Sequence, residues 1–209
     1  MNIIITAGPT VEPIDDVRCI TNFSSGKMGV ALAESAIARG HSVTMICGPM
    51  TAVPPKAATV VCVRTANEMR DELARNFPAC DALIMAAAVC DFRPEHKATG
   101  KIKRNGPGLT LNLIPTLDIL AEVAEKKGWR VVVGFALEHE NGIDSARKKC
   151  AEKNCNFVCL NSPKALDSDH TEITLVYRGG NVLPLPNLPK AEAAGLIIGA
   201  VERIREERA

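Results

Sequence analysis

Six short runs of nearly unbroken apolar residues recur along the chain: "NIIIT" (2–6), "HSVTMI" (41–46), "TVVCVR" (59–64), "DALIMAAAV" (81–89), "RVVVGF" (130–135) and "NFVCLN" (156–161). A strand with one wet face alternates apolar and polar residues, whereas a strand covered on both faces reads as a continuous apolar run. Helical stretches lie between and after these runs. Residues 27–40 carry Val30, Leu32, Ala33 and Ala36 at helical spacing and stop at Gly40, a natural C-cap. "TANEMRDELARNF" opens with Thr65 and Glu68 in capping-box spacing. Residues 144–153 read as a further helix, and "PKAEAAGLIIGAVERIREE" closes the chain with Pro189 suited to a first turn. Apolar strands alternating with helices indicate an α/β architecture, a Rossmann-like, doubly wound, mostly parallel sheet with helices on both faces.

Two segments break the alternation. "KIKRNGPGLTLNL" reads as an extended excursion with a Gly-Pro-Gly turn, and "TEITLVYRGGNVLPLP" as a β-hairpin around Gly179, Gly180 and Asn181. An isolated hairpin is marginal, so this one is expected to gain by packing on a partner. No internal repeat, linker or low-complexity stretch divides residues 1–209, which are read as one domain.

The formal net charge of +1 gives no overall field to attract nucleic acid or an anionic membrane. No apolar run approaches the ~18 residues of a membrane helix, and "MNIIITAGPT" lacks the basic region and length of a signal peptide, so a cytoplasmic address is expected. None of the eight cysteines forms a Cys-x-x-Cys pair, several sit inside apolar runs, and the four histidines are scattered. The expectation is reduced cysteines acting as small buried hydrophobes, without a metal–thiolate site.

In a doubly wound sheet, ligands sit at the carboxyl ends of the strands. There the sequence places "TAGPT" and "EPIDDVRCITNFSSGK", then "CDFRP", then "ALEHENG", segments of small and polar residues suited to a cleft. The stretch "ITNFSSGKMGVALAESAIARG" runs like a phosphate loop into a helix but matches neither common pattern. Gly26 and Lys27 are followed by Met28 where the P-loop needs Ser or Thr, and Ser24 replaces the first glycine of the dinucleotide fingerprint. Ser24, Ser25 and Gly26 at a helix start fit either an anion site or a plain serine N-cap. Arg18 and Asn22 upstream add a forked donor and an amide. In "GKIKR", Lys101 and Lys103 point the same way from an extended segment and Ile102 the other. Lys149 and Lys153 share one helix face, which reads from the residues alone as a solvent-facing basic stripe.

Taken together, "ITAGPTVEPIDDVRCITNFSSGKMG", "AAAVCDFRP", "GKIKR", "VVVGFALE" and "ARKKCAEKN" resemble the phosphopantothenoylcysteine synthetase family, the ligase half of the bacterial coenzyme A biosynthesis bifunctional flavoproteins. The resemblance covers nearly the whole chain in order. It implies that 4′-phosphopantothenate and L-cysteine are joined with CTP as co-substrate, through an acyl-cytidylate, releasing CMP and pyrophosphate. It implies Asn22 and Lys101 as catalytic residues. Arg18, Asn22, Ser24, Ser25, Gly26 and Ala88 would bind the acyl substrate or phosphates. Asp91, Lys101, Asp118, Ile119, Phe135, Lys149 and Lys153 would bind the nucleotide. Mg²⁺ would accompany the triphosphate, with no flavin on this chain. A homodimer and a phosphopantothenoylcysteine decarboxylase partner are implied, and nucleic acid and membrane are not. Three positions depart from the family pattern: Cys90 and Phe92 stand where Ala and Tyr are common, and Leu117 replaces a proline. Two other readings compete. An NAD(P)-dependent reductase is disfavoured by the broken fingerprint and by the single tyrosine, Tyr177, which lies in the hairpin. A catalytically silent nucleotide-binding module is disfavoured by the presence of Asn22, Asp91 and Lys101.

Overall fold

The computed structural model describes residues 1–138, 142–162 and 168–208. The chain opens with β1 (Asn2–Ala7), then an antiparallel ribbon of β2 (Val11–Pro13) and β3 (Cys19–Thr21), then α1 (Lys27–Ala38). β4 (Ser42–Cys47), β5 (Thr59–Cys62), α2 (Ala66–Asn76) and a 3-10 turn at Phe77–Ala79 follow. β6 (Ala82–Met85) leads to a second ribbon, β7 (Phe92–Pro94) with β8 (Leu113–Pro115). Next come α3 (Ile119–Glu125), β9 (Val131–Leu137), α4 (Gly142–Glu152) and β10 (Phe157–Asn161). The chain closes with β11 (His170–Thr171), β12 (Thr174–Tyr177), β13 (Val182–Pro184), β14 (Leu188–Pro189) and α5 (Lys190–Glu206).

Among the described residues the central sheet has eight strands in the order β13-β12-β10-β9-β6-β1-β4-β5. The six from β5 to β10 are parallel. From β1 the chain builds outward through β4 and β5, then returns to β1's other side with β6 and continues through β9 and β10. The order therefore reverses between β1 and β6, and the loops leaving these two strands diverge.

Burial on both faces explains the apolar runs. Ile3, Ile5 and Ala7 pack with Leu32 of α1 and Ile197 and Ile198 of α5, while Ile4 joins Met69 and Leu73 of α2 and Val123 of α3 on the opposite face. Gly29 sits so close to β1 that a Cβ there would lie 2.5 Å from Ala7 Cβ, which is why α1 carries a glycine in its first turn. Gly40 ends α1 as expected: its N–H donates to Ile37 O (2.9 Å) and that of His41 to Ala36 O (3.1 Å). At α2, Thr65 caps the Glu68 amide (3.2 Å), but Glu68 accepts from Arg64 N (2.7 Å), one residue before the cap.

Three expectations change. The run 81–89 yields a strand only to Met85, because the following backbone groups bond elsewhere: Ala87 N to Thr6 Oγ1 (3.1 Å), Ala88 N to Gly8 O (2.9 Å) and Thr10 N to Ala88 O (3.1 Å). The hairpin of β12 and β13 extends the chain's own sheet, β12 pairing antiparallel with β10 and burying Leu175 and Val176 completely. Packing within the chain covers β12, while β13 forms the edge of the sheet and leaves Leu183 exposed. Six of the eight thiols are buried, but Cys19 and Cys62 are exposed, Cys62 because β5 is an edge strand. Burial pushes the Cys47 thiol up to about 11 and those of Cys80 and Cys155 to about 12, which keeps them protonated. Among the described residues no cluster of His, Cys, Asp and Glu is arranged to hold a metal ion, and no helix is long and apolar enough to cross a membrane.

Candidate functional site

A cleft of about 860 Å³ opens at the carboxyl ends of β6, β9 and β10, against the loop before α1. Beside it β1 and β6 diverge, and Pro9 and Ala88, the latter lining the cleft, form a parallel bridge. Asn22 braces this point: its Nδ2 donates to the carbonyls of Ala88 and Val89, both at 3.1 Å. The amide hydrogens of Asn22 are thus engaged by backbone, and an acyl group drawing on them would have to displace a carbonyl.

One wall is the loop before α1. Ser24, Ser25, Gly26 and the first turn of α1 line the cleft. The N-cap is Gly26, in a left-handed conformation at φ 80°, and no side chain caps the helix. The serine N-cap reading is therefore set aside, since neither hydroxyl bonds the first-turn amides. A side chain at Gly26 would strain the backbone and meet Met50, the nearest Sδ being 2.3 Å from an added Cβ. A helix start without a side-chain cap and the positive end of the helix dipole favour an anion at this wall. Lys27 stands on the same turn, paired with Asp169 at 2.7 Å.

The opposite wall comes from α3, β9 and α4. Asp118 caps α3 by accepting from Ala121 N (3.0 Å), and its other oxygen is paired with Lys153. Lys149 donates to Phe135 O (2.6 Å). Burial lowers the Lys149 pKa, opposed by Cys155, Asp91 and Glu138 nearby. The basic stripe therefore faces the cleft rather than solvent, because α4 packs beside β9 and β10 with these lysines toward the strand ends. Ile119, Phe135 and Asp91 complete this side, and Thr116 Oγ1 donates to Cys90 O (2.6 Å), fixing the Asp91 turn. The end of the "ALEHENG" turn, residues 139–141, lies outside the described residues.

Asn22, Ser24, Ser25, Gly26, Ala88, Asp91, Asp118, Ile119, Phe135, Lys149 and Lys153 thus share one cleft. Arg18 and Lys101 do not line it. The fork of Arg18 is taken up by Asp15 Oδ2, with a further bond from Nη2 to Ile102 O (2.9 Å). Lys101 is exposed on the segment beyond β7. Thr116, Asn161, Lys27 and Lys190 line the cleft without having been singled out. Lys27 and Lys190 carried a signal: each is the first residue of a helix, where a cation opposes the dipole unless an anion is served there.

Comparison with known proteins identifies the family and the fold. The DNA/pantothenate metabolism flavoprotein C-terminal domain matches residues 1–204. The coenzyme A biosynthesis bifunctional protein CoaBC of Bacillus subtilis (strain 168) is 38% identical over 211 residues, covering 99% of this chain and 52% of that protein. CoaBC of Escherichia coli (strain K12) is 41% identical over 194 residues, covering 88% and 48%. A protein named cysteine/cysteine sulfinic acid decarboxylase, from an unknown prokaryotic organism, is 42% identical over 202 residues, covering 94% and 56%. The chain spans about half the length of the curated relatives it matches. The crystal structure of the CoaBC C-terminal domain superposes with TM-score 0.86 at 37% identity, covering 99% of this chain and 96% of that one. A Cab2 H337A mutant in complex with phosphopantothenate-cysteine shares the fold at TM-score 0.79 and 18% identity, covering 100% and 87%. The chain belongs to the DNA/pantothenate metabolism flavoprotein C-terminal domain family.

Proposed function

We propose that the chain is a phosphopantothenate–cysteine ligase that uses CTP. The observation that carries this reading is a single cleft joining an uncapped helix N-terminus to a wall of Asp118, Lys149 and Lys153, in a member of this family. The phosphopantothenate-cysteine held by the Cab2 mutant is the product class the reading assigns.

The carboxylate of 4′-phosphopantothenate attacks the α-phosphorus of CTP, the bond to the bridging oxygen breaks, and pyrophosphate leaves. The amine of L-cysteine then attacks the acyl-cytidylate carbonyl, CMP departs with the bonding pair, and the amine gives up a proton. The activation replaces an oxide leaving group with a nucleotide, so the protein's task is positioning and charge neutralisation. Ser24, Ser25 and the α1 terminus take phosphate charge. Asp118, Phe135, Lys149 and Lys153 hold the nucleoside end. Asn22 sits where the acyl group must pass, and Lys101 reaches in from the segment that follows β7. With Asp118 paired to Lys153, Asp91 and Glu138 remain as cleft oxygens suited to Mg²⁺, which keeps few protein ligands and arrives with phosphates. Mg²⁺ supplies neutralisation of the triphosphate.

The test is incubation with 4′-phosphopantothenate, L-cysteine, Mg²⁺ and each nucleoside triphosphate in turn. CTP should give pyrophosphate, CMP and amide in equal amounts, at a kcat/KM at least about tenfold above ATP, or about 1.4 kcal/mol. No pyrophosphate from any triphosphate would refute the ligase. Equal turnover of CTP and ATP would remove the CTP preference, for which Leu117 is the residue to examine. We also propose a homodimer working with a decarboxylase partner. Light scattering should give twice the chain mass at micromolar concentration, and a single-chain mass rejects the dimer.

A further inference from the structure

Residues 97–104 leave β7 as a strap bearing the cations of "GKIKR", and its base is tied to residues 14–18. Ala98 N donates to Ile14 O (2.9 Å), and Lys97 pairs with Asp16 (2.8 Å). Gly100 N donates to Asp16 Oδ2 (2.8 Å) and Ile102 N to Asp15 Oδ2 (3.0 Å). The two carboxylate anchors thus fall on the residues either side of Lys101. Gly100 is in a left-handed conformation at φ 71°, and with the amides of 100 and 102 both held, the backbone on either side of Lys101 is pinned and with it the direction in which Lys101 leaves the chain. Lys103 and Arg104 follow the last anchor. The spacing of "GKIKR" did not separate Lys101 from Lys103, and the anchors do.

Asp15 is the hub of this arrangement. Its side chain is fully buried although the strap beside it is exposed. It accepts from Val17 N (2.8 Å), Arg18 N (2.7 Å), Arg18 Nε (3.0 Å), Arg18 Nη2 and Ile102 N. The Arg18 guanidinium, helped by these amides and opposed by burial, holds its carboxyl well below the usual range. Arg18 closes the circuit by donating to Ile102 O. A buried carboxylate is retained only when its partners are fixed, and here they are the Val17 amide, Arg18 and one strap residue, Ile102. The strap is continuous with the cleft wall, because Asp91 before β7 and Thr116 after β8 both line the cleft.

We propose that Asp15 is a positioning residue: it locks Arg18 to the strap and thereby sets the direction of Lys101 toward phosphates in the adjacent cleft. The consequence for turnover rests on the ligase reading, while the anchoring does not.

The first test needs no reaction. Native trypsin digestion at Lys101, Lys103 and Arg104, followed by mass, should be at least about tenfold faster in Asp15→Asn, with the thermal midpoint close to wild type. Ile102→Pro removes the strap's donor without touching Asp15; it makes the bond after Lys101 resistant to trypsin, so the same acceleration is expected after Lys103 and Arg104, which keeps the test open if Asp15→Asn unfolds. Wild-type cutting rates in both variants overturn the proposal. The second test is pyrophosphate release from CTP and 4′-phosphopantothenate without cysteine. Asp15→Asn should slow it at least about tenfold and Lys101→Gln about 10²–10³-fold. The double variant should be within about twofold of Lys101→Gln alone, since Asp15 acts through Lys101. Losses that multiply instead would assign Asp15 a merely structural role and overturn the positioning. A wild type that releases no pyrophosphate sinks the ligase reading, and the digestion rates still decide whether Asp15 holds the strap.

Discussion

Lys127, far from the cleft at the amino ends of the strands, illustrates what one buried charge does. Only 5% of it is exposed, and its Nζ donates to Asn154 O (2.6 Å). Burial first, then Arg208 and Arg178 nearby, pull its pKa from 10.5 down to about 8. The unfolded chain holds its proton to higher pH than the folded one, so folding releases a proton between these values and stability rises with pH across that window. The contribution is present above 10.5 and lost as pH falls through 8, at most about 3 kcal/mol. Lys127→Met removes the titration. The difference in unfolding free energy, variant minus wild type, should therefore become less favourable to the variant between pH 7.5 and 10, as followed by urea melts. A difference that stays flat with pH would show that Lys127 titrates normally in the fold.

At the scale of elements, α2 depends on a contact that no local pattern announces. Glu12 of β2 is 4% exposed, and its Oε1 accepts from Ala66 N, the first helical amide, at 2.8 Å across 54 positions. A carboxylate there satisfies an orphan donor and complements the dipole. Glu12→Ala leaves that amide buried and unmet and should cost about 1–3 kcal/mol in urea unfolding. Glu12→Gln keeps an acceptor and should cost less; equal losses in the two variants would mean that packing of the longer stem, rather than the hydrogen bond, is what matters. The contrast with Thr65 and Glu68 marks what was legible. Strands buried on both faces announce themselves in composition, and a cap three residues from its partner announces itself in spacing. Glu12 does not, because its partner is fixed only by the packing of β2 beside α2. The pairing of the Arg18 fork with Asp15 was not legible, although Asp15 precedes it by only three residues, because the sequence does not say which carboxylate or phosphate a guanidinium takes. Lys149 was read outward because helical spacing reports a shared face but not which way that face turns.

At the scale of the whole molecule, the sheet order separates the work of the cleft. The serine-loop wall hangs on α1, the opposite wall on β9, α3 and α4, and Asn22 ties the loop before α1 to the β6 loop between them. Lys101 comes from outside, on the strap. On the proposed ligase reading, two substitutions should therefore stop the reaction at different points. Lys101→Gln removes a cation from the leaving pyrophosphate, which typically costs about 10²–10³ in rate, so no acyl-cytidylate should form. Asn22→Asp turns a donor into a carboxylate facing the carbonyls of Ala88 and Val89 and the acyl group, while leaving Asp118, Lys149 and Lys153 in place. Activation should survive, attack by cysteine should fail against the added negative charge, and the acyl-cytidylate should accumulate. Quenched reactions with and without cysteine, analysed by mass, distinguish the two. Intermediate formed at the normal rate by Lys101→Gln would remove Lys101 from the triphosphate step. Amide formed at the normal rate by Asn22→Asp would show that Asn22 serves as a backbone brace and does not act on the acyl group.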